Sequence, residues 1–292
     1  MDTHQQWDIV TGIGVTALAV AAARAVETSR PASLAQDPFA ARFVTAAQAS
    51  SPMPTSVEDL AAEAGEDGGV WPNMIDYIAV RTRAFDDHFL NAARDGIAQA
   101  VILASGLDSR AFRLDWRPGT VVHEIDQPLV LDFKLRVLRE AEAEPRCDHR
   151  PTGIDLRDDW AAALQGAGFD PTLPTAWLAE GLMPYLPPEA EENLLHQVHR
   201  LSAPGSYFAA EYFSDMGTVL TDPMMERNVL ALGLELGDLL HSDRRPSPAE
   251  RLAEQGWQTQ VVTGPDKANT YGRALRPSAM HDNVRLVSAH LP

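Results

Sequence analysis

Val101-Ile102-Leu103-Ala104-Ser105-Gly106-Leu107-Asp108-Ser109-Arg110 is the stretch whose reading decides the fold. A short apolar run that ends in small residues reads as a buried strand, because a strand covered on both faces shows no polar alternation. Gly106 can take a positive φ or let a ligand approach the backbone. Outward from this segment the chain alternates. Strands are predicted at Val121–Ile125, Thr152–Asp155, Ala176–Glu180 and Tyr207–Tyr212, with helices over 128–142, 157–166 and 188–201 between them. Such alternation implies an α/β fold with a mostly parallel sheet, and right-handed crossovers make that sheet doubly wound.

The two ends differ from this middle. Residues 1–96 read as a helical cap: a helix over about 14–26, another opened by Asp37 as N-cap with Pro38 behind it, a loop over 50–72 around a short acidic helix, and a long helix over 73–94. Residues 97–292 read as the core. Within it, 214–246 form an insertion after the fifth strand, rich in flexible apolar side chains (Met216, Met224, Met225 and Leu230 to Leu240). Trp257–Thr263 and Val284–His290 read as late strands with no helix between them, hence an antiparallel hairpin at the sheet edge.

Bulk properties narrow the function. With 45% hydrophobic and 22% charged residues, the chain is an ordinary globular protein. Its net charge of −17 opposes nucleic acid as a partner, since phosphate binding draws on clustered Lys and Arg. Cys147 is the single cysteine, so no internal disulfide forms and a cytoplasmic setting is the default. The apolar stretch Ile9–Ala23 is too short to cross a bilayer and is broken by Gly12 and Gly14. The residues before it carry Asp2 and Asp8 but no Lys or Arg, the reverse of a secretory signal. No His, Cys or carboxylate set has metal-ligand spacing. Monomer and homodimer are both compatible with this composition.

Doubly wound sheets bind ligands beyond the carboxyl ends of their strands, where the strand order reverses. The second strand ends in Glu124-Ile125-Asp126, followed by Gln127, and Asp126 follows Gly106 at the spacing of a carboxylate that grips a ribose diol. A dinucleotide loop needs glycines at G-x-G-x-x-G, but those places hold Ala104, Gly106 and Ser109. A pyrophosphate is therefore poorly served, which opposes an NAD-dependent dehydrogenase. A nucleoside cofactor without phosphate needs only one glycine. The remaining alternative of another class is a non-catalytic cofactor-binding protein.

Four segments then carry a resemblance: Arg81-Thr82-Arg83-Ala84-Phe85-Asp86, Leu103 to Arg110, Glu124-Ile125-Asp126, and Ala179-Glu180-Gly181-Leu182-Met183-Pro184-Tyr185-Leu186. In this order they resemble the leucine carboxyl methyltransferase-like family, in particular its bacterial S-adenosylmethionine-dependent members. The resemblance implies a Rossmann-like class I methyltransferase fold and S-adenosylmethionine as cofactor. It implies that Arg81 pairs with the methionine carboxylate, that Ala104 and Gly106 form the turn beneath the methionine, and that Asp126 holds the ribose. Asp155 and Leu156 would flank the adenine, Glu180 would meet the amino group, and Arg30 would lie near the carboxylate. Ala104 departs from the family, where glycine is common.

Methyl transfer from this cofactor needs mainly positioning and electrostatics. A carboxylate acceptor needs no base, whereas a phenol or alcohol does. His88, His196 and His199 lie on predicted helices and His123 inside a strand, while His241 and His281 can face a pocket. Tyr185 and Tyr212, just past the fourth and fifth strands, are placed to line an acceptor site. The expectation is O-methylation of a small molecule, at a carboxyl group, with a phenol or hydroxyl as the alternative.

Overall fold

The computed structural model describes residues 9, 13–49, 53–63, 71–223, 225 and 240–292. The chain opens with helices α1 (Ile13–Ser29), α2 (Ala40–Ala47), α3 (Val57–Glu63) and α4 (Trp71–Arg94). There follow β1 (Gln99–Leu103), α5 (Arg110–Arg113), β2 (Val121–Asp126), α6 (Pro128–Glu140), β3 (Asp148–Gly153), α7 (Trp160–Gly166) and β4 (Ala176–Ala179). A 3-10 turn (Met183–Tyr185) leads to α8 (Pro188–Arg200), β5 (Tyr207–Phe213) and α9 (Met216–Leu220). The chain ends with α10 (Pro248–Glu254), β6 (Gln258–Thr263), α11 (Gly264–Thr270), α12 (Ala279–Asn283) and β7 (Val284–His290).

The seven strands form one sheet in the order β3-β2-β1-β4-β5-β7-β6. β1 to β5 are mutually parallel, and β7 runs antiparallel between β5 and β6. The doubly wound sheet and its late hairpin are thus as predicted. The strand order reverses between β1 and β4, which places a crevice beyond their carboxyl ends.

Three details differ from expectation. β3 covers 148–153, not 152–155. Its sequence, Asp148-His149-Arg150-Pro151-Thr152-Gly153, is polar because the strand lies at the sheet edge, where Pro151 is tolerated without a donor. α2 begins at Ala40 with Phe39 as its cap residue, although Asp37 Oδ1 still accepts from the Phe39 N–H at 3.1 Å. The span between the last two strands contains α11 and α12, capped by the hydroxyls of Thr263 and Ser278. Each cap satisfies an amide that the first helical turn leaves orphaned. Within the expected 214–246 insertion, α9 and residues 240–246 are described, and 224 and 226–239, which include most of the expected Leu230–Leu240 run, lie outside the described residues.

Both sheet faces are covered. On one, Phe43 of α2 and Phe85 and Phe89 of α4 pack with Ile102, Val122 and Leu178. On the other, Trp160, Leu195 and Val198 pack with Val101, Leu103, Trp177 and Phe208. The N-terminal helices therefore share a hydrophobic core with the sheet.

Candidate functional site

A cavity of about 900 Å³ opens over the carboxyl ends of β1, β2, β4 and β5. Its size lies in the range of small-molecule sites. The turn after β1 forms its floor. Ala104 takes φ 50° and Gly106 φ 48°, so the alanine adopts a left-handed conformation that a glycine would enter without steric cost. The turn is pinned from below. Lys134 of α6, fully buried, donates to Ser105 Oγ at 2.9 Å and pairs with the equally buried Glu124 of β2 at 2.6 Å. Burial alone would raise the Glu124 carboxyl, but Lys134 and His149 together outweigh it and hold it at about 2.

Asp126 closes this half of the site. Its Oδ2 accepts from the Gly106 N–H at 2.5 Å and its Oδ1 from the Gln127 N–H at 2.7 Å. Burial pushes the Asp126 carboxyl up, against those two amides. Gln127 Nε2 donates to Asp155 Oδ2 at 3.1 Å, and Asp155 also receives the Arg157 side chain. The chain past β3 thus brings Asp155 and Leu156 to the same cavity wall as Asp126.

The other half rests on arginines. Arg81 on α4 reaches Glu180, just past β4, with Nε at 2.9 Å from Oε1, and donates from Nη1 to Glu211 Oε1 at 2.7 Å. Glu211 sits near the end of β5, 2% exposed, and its Oε1 also accepts from the Gly181 N–H at 3.0 Å. Its Oε2 has no hydrogen-bond partner among the described residues. Arg110 joins Glu180 at 2.7 Å, Asp86 at 2.7 Å and Asp108, and Asp86 also receives Arg113. Burial would raise the Glu180 carboxyl, but Arg110 and Arg81 bring it down. For Glu211 burial wins: Arg81 opposes it, the neighbouring Glu180 charge adds to it, and the carboxyl is raised.

Arg81, Ala104, Gly106, Asp126, Gln127, Asp155, Leu156, Glu180, Tyr185 and His241 all line the cavity. Arg30 and Tyr212 do not. Arg30 is spent on Glu27 at 3.0 Å and Asp76 at 2.7 Å. Tyr212 points along β5 into a neighbouring hollow with Glu191 and Arg245, because adjacent strand residues face opposite sides of a sheet and Glu211 takes the cavity side. Residues that sequence reasoning passed over include Arg24, Tyr77 and Glu211. Glu211 left a trace: a carboxylate inside the apolar run Tyr207-Phe208-Ala209-Ala210-Glu211-Tyr212-Phe213 is costly unless partnered. Beyond the charged floor the cavity turns apolar, with Met74, Ile78, Phe213, Met216, Val219 and Met280. His123 is buried against Phe169 at 5.7 Å between ring centroids, and burial holds its pKa down at about 4. Among the described residues no His, Cys, Asp or Glu group could hold a metal, and no helix is long and apolar enough to cross a membrane.

Residues 17–199 match the family model of leucine carboxyl methyltransferases. The chain belongs to this family. A Saccharopolyspora erythraea protein named "Putative S-adenosyl-L-methionine-dependent methyltransferase" is 47% identical over 279 residues, covering 96% of this chain and 95% of that one. A Mycolicibacterium smegmatis protein of like name is 44% identical over 288 residues, covering 96% and 93%. Among solved structures, a DUF574 family protein from Streptomyces avermitilis shares the fold, with a TM-score of 0.55 at 16% identity over 86% of this chain and 96% of that chain. The fold is that of class I methyltransferases, with the strand order that defines the cavity.

Proposed function

We propose that this chain methylates a carboxyl oxygen of a small, largely apolar molecule. As a member of its family it is an S-adenosylmethionine-dependent methyltransferase. The residues of the cavity fit that cofactor. It carries a ribose, an adenine and a sulfonium but no phosphate, and the cavity offers Asp126, Asp155 and Glu180 in a row with a turn unsuited to pyrophosphate. Glu211 Oε2, buried and without a hydrogen-bond partner among the described residues, is a polar atom that a ligand can satisfy. Asp126 is the residue for the ribose hydroxyls, Asp155 and Leu156 for the adenine, and Arg81 and Glu180 for the amino-acid end.

The observation that supports an apolar acceptor is the apolar lobe that continues from this floor in one cavity. The bound cofactor supplies an already activated methyl group. The protein's task is to orient an acceptor oxygen and exclude water. The Tyr77 hydroxyl is held neutral, burial and then Glu211 pushing its pKa well up, so it serves as a donor to an entering carboxylate. α1 and residues 240–241 border the cavity and would act as its cover.

One observation favours hydroxyl methylation as a second reading. His281, buried and lining the cavity, places Nδ1 2.6 Å from the Arg276 carbonyl, which only accepts. That bond puts the proton on Nδ1 and leaves the Nε2 lone pair available as a base. Labelled-methyl transfer into an actinobacterial metabolite extract, followed by mild alkali, separates the two. Methyl esters release volatile methanol and methyl ethers do not. Transfer without alkali-labile label overturns the carboxyl reading. An Asp126→Ala variant should bind S-adenosylhomocysteine at least about ten-fold more weakly in calorimetry, since hydrogen bonds to a charged group contribute about 1.5–3 kcal/mol.

A further inference from the structure

The buried network beneath the β4–β5 half of the cavity is not balanced. Arg81, Arg110 and Arg113 face Asp86, Asp108, Glu180 and Glu211, three formal positive charges against four negative. The adjoining Arg24–Asp37 pair, at 2.9 Å, is neutral and does not change the sum. An uncompensated buried charge is costly, so such a network either binds a proton or awaits a cation.

Glu211 is where the imbalance surfaces. Asp86 receives two arginines, Glu180 receives two, and Asp108 receives the Arg110 guanidinium on one oxygen and the Arg110 amide on the other, whereas Glu211 receives one guanidinium nitrogen and one amide, both on Oε1. Among the described residues Oε2 is left without a hydrogen-bond partner in a cavity-lining side chain that is 2% exposed. The groups around it are identified. Arg81 and Tyr77 come from α4, Glu180 and the Gly181 amide from the end of β4, and Tyr185 from the turn beyond. His281 of α12 lies beside Tyr77, at 6.0 Å between ring centroids with the rings tilted by 40°. On β7 the residue paired with Glu211 is Leu286, which carries no charge. Only Arg81 among these is a permanent cation, and Glu180 shares it.

The two ligands of a methyltransferase differ by one charge at this end. S-adenosylmethionine has a sulfonium, and S-adenosylhomocysteine a neutral thioether. We propose that Glu211 is the residue by which the cavity tells them apart: it releases a proton to solvent when the sulfonium ligand binds and recovers one when the thioether product takes its place. The raised carboxyl of Glu211 agrees with a proton held in the free protein. The device rests on the cofactor reading above. It makes the product bind less well than the substrate cofactor, through charge and without a change of shape.

Titration calorimetry of the full chain in two buffers of different ionisation enthalpy tests this at neutral pH. Binding of S-adenosylmethionine should release a proton, and binding of S-adenosylhomocysteine should release none. In E211Q the release should vanish and the preference for S-adenosylmethionine over S-adenosylhomocysteine should fall about ten-fold, within the usual range of coupling between sites. Retained affinity for S-adenosylhomocysteine would show that this variant is folded. Equal proton exchange for both ligands in the parent, or an unchanged preference in E211Q, overturns the proposal and leaves the cofactor reading standing. Failure of both ligands to bind the parent overturns the cofactor reading itself. If E211Q does not fold, the two-buffer comparison on the parent still decides.

Discussion

The two halves of the cavity floor bury charge in opposite ways. Under the β1–β2 half, Lys134 and Glu124 form a balanced, fully buried pair, with Ser105 and His149 completing its surroundings. Under the β4–β5 half, three arginines face four carboxylates, and one carboxyl oxygen of the cavity-lining Glu211 has no hydrogen-bond partner among the described residues. The first arrangement serves geometry: it holds the turn at a fixed height against β2. The second leaves a charge for a ligand to answer. Buried ions are thus divided between a stabilising role and a recognising one, and mutation should separate the two.

The largest effect is expected from Lys134→Ala. It strands the Glu124 carboxylate in the core, and breaking a buried pair from one side costs about 3–5 kcal/mol. Denaturant unfolding should show that loss, and the double variant Lys134→Met with Glu124→Gln should recover most of it. A small loss in the single variant would mean that the pair is not desolvated as its burial indicates. By the same measurement E211Q should be neutral or stabilising by about 1 kcal/mol, because an amide avoids the cost of keeping a buried carboxyl either protonated or ionised.

A pH series sharpens the contrast through its sign. Glu124 is depressed to about 2 in the folded chain. Its contribution is fully present above the unfolded carboxyl value of about 4.3 and is lost as pH falls through about 2. Glu211 is raised, so the folded state holds its proton where the unfolded state does not. Its contribution is fully present below the unfolded value and is lost as pH rises through the folded one. Stability of the parent should therefore decline from mildly acidic to neutral pH more steeply than that of E211Q. Parallel curves would remove the distinction between the halves.

The smallest effect is expected at the turn itself. Ala104 holds φ 50° at a position where a Cβ is unfavourable by about 1–2 kcal/mol. Ala104→Gly recovers that strain but adds about 0.5–1 kcal/mol of unfolded-state entropy. A net gain of up to about 1 kcal/mol is expected in thermal unfolding.

The same division separates what could be read from what could not. The β1–β2 half is local in the chain: Ala104, Gly106 and Asp126 lie within one strand–helix–strand unit, so spacing and residue type point to one another. β3 was misplaced because an edge strand need not be apolar, and its Pro151 reads as a break. The helices after β6 announce themselves only through single capping residues, Thr263 and Ser278, in a stretch without clear apolar periodicity. Glu180 stood out because it ends a strand before a glycine. Glu211 did not, since its meaning depends on an arginine 130 positions earlier in the chain.

Sequence alone determined the doubly wound sheet, the turn at Ala104–Gly106 with too few glycines to suit a pyrophosphate, and the carboxylate at Asp126. These follow from hydrophobic periodicity and short-range spacing, which act along the chain. Tertiary structure alone decided that Arg30 is committed to Glu27 and Asp76, that Tyr212 faces away from the cavity, and that Tyr77, Glu211 and His281 share one wall. The reason is physical. The sign and strength of a buried charge depend on which distant groups surround it in a medium of low dielectric, and only the packed sheet brings those groups together.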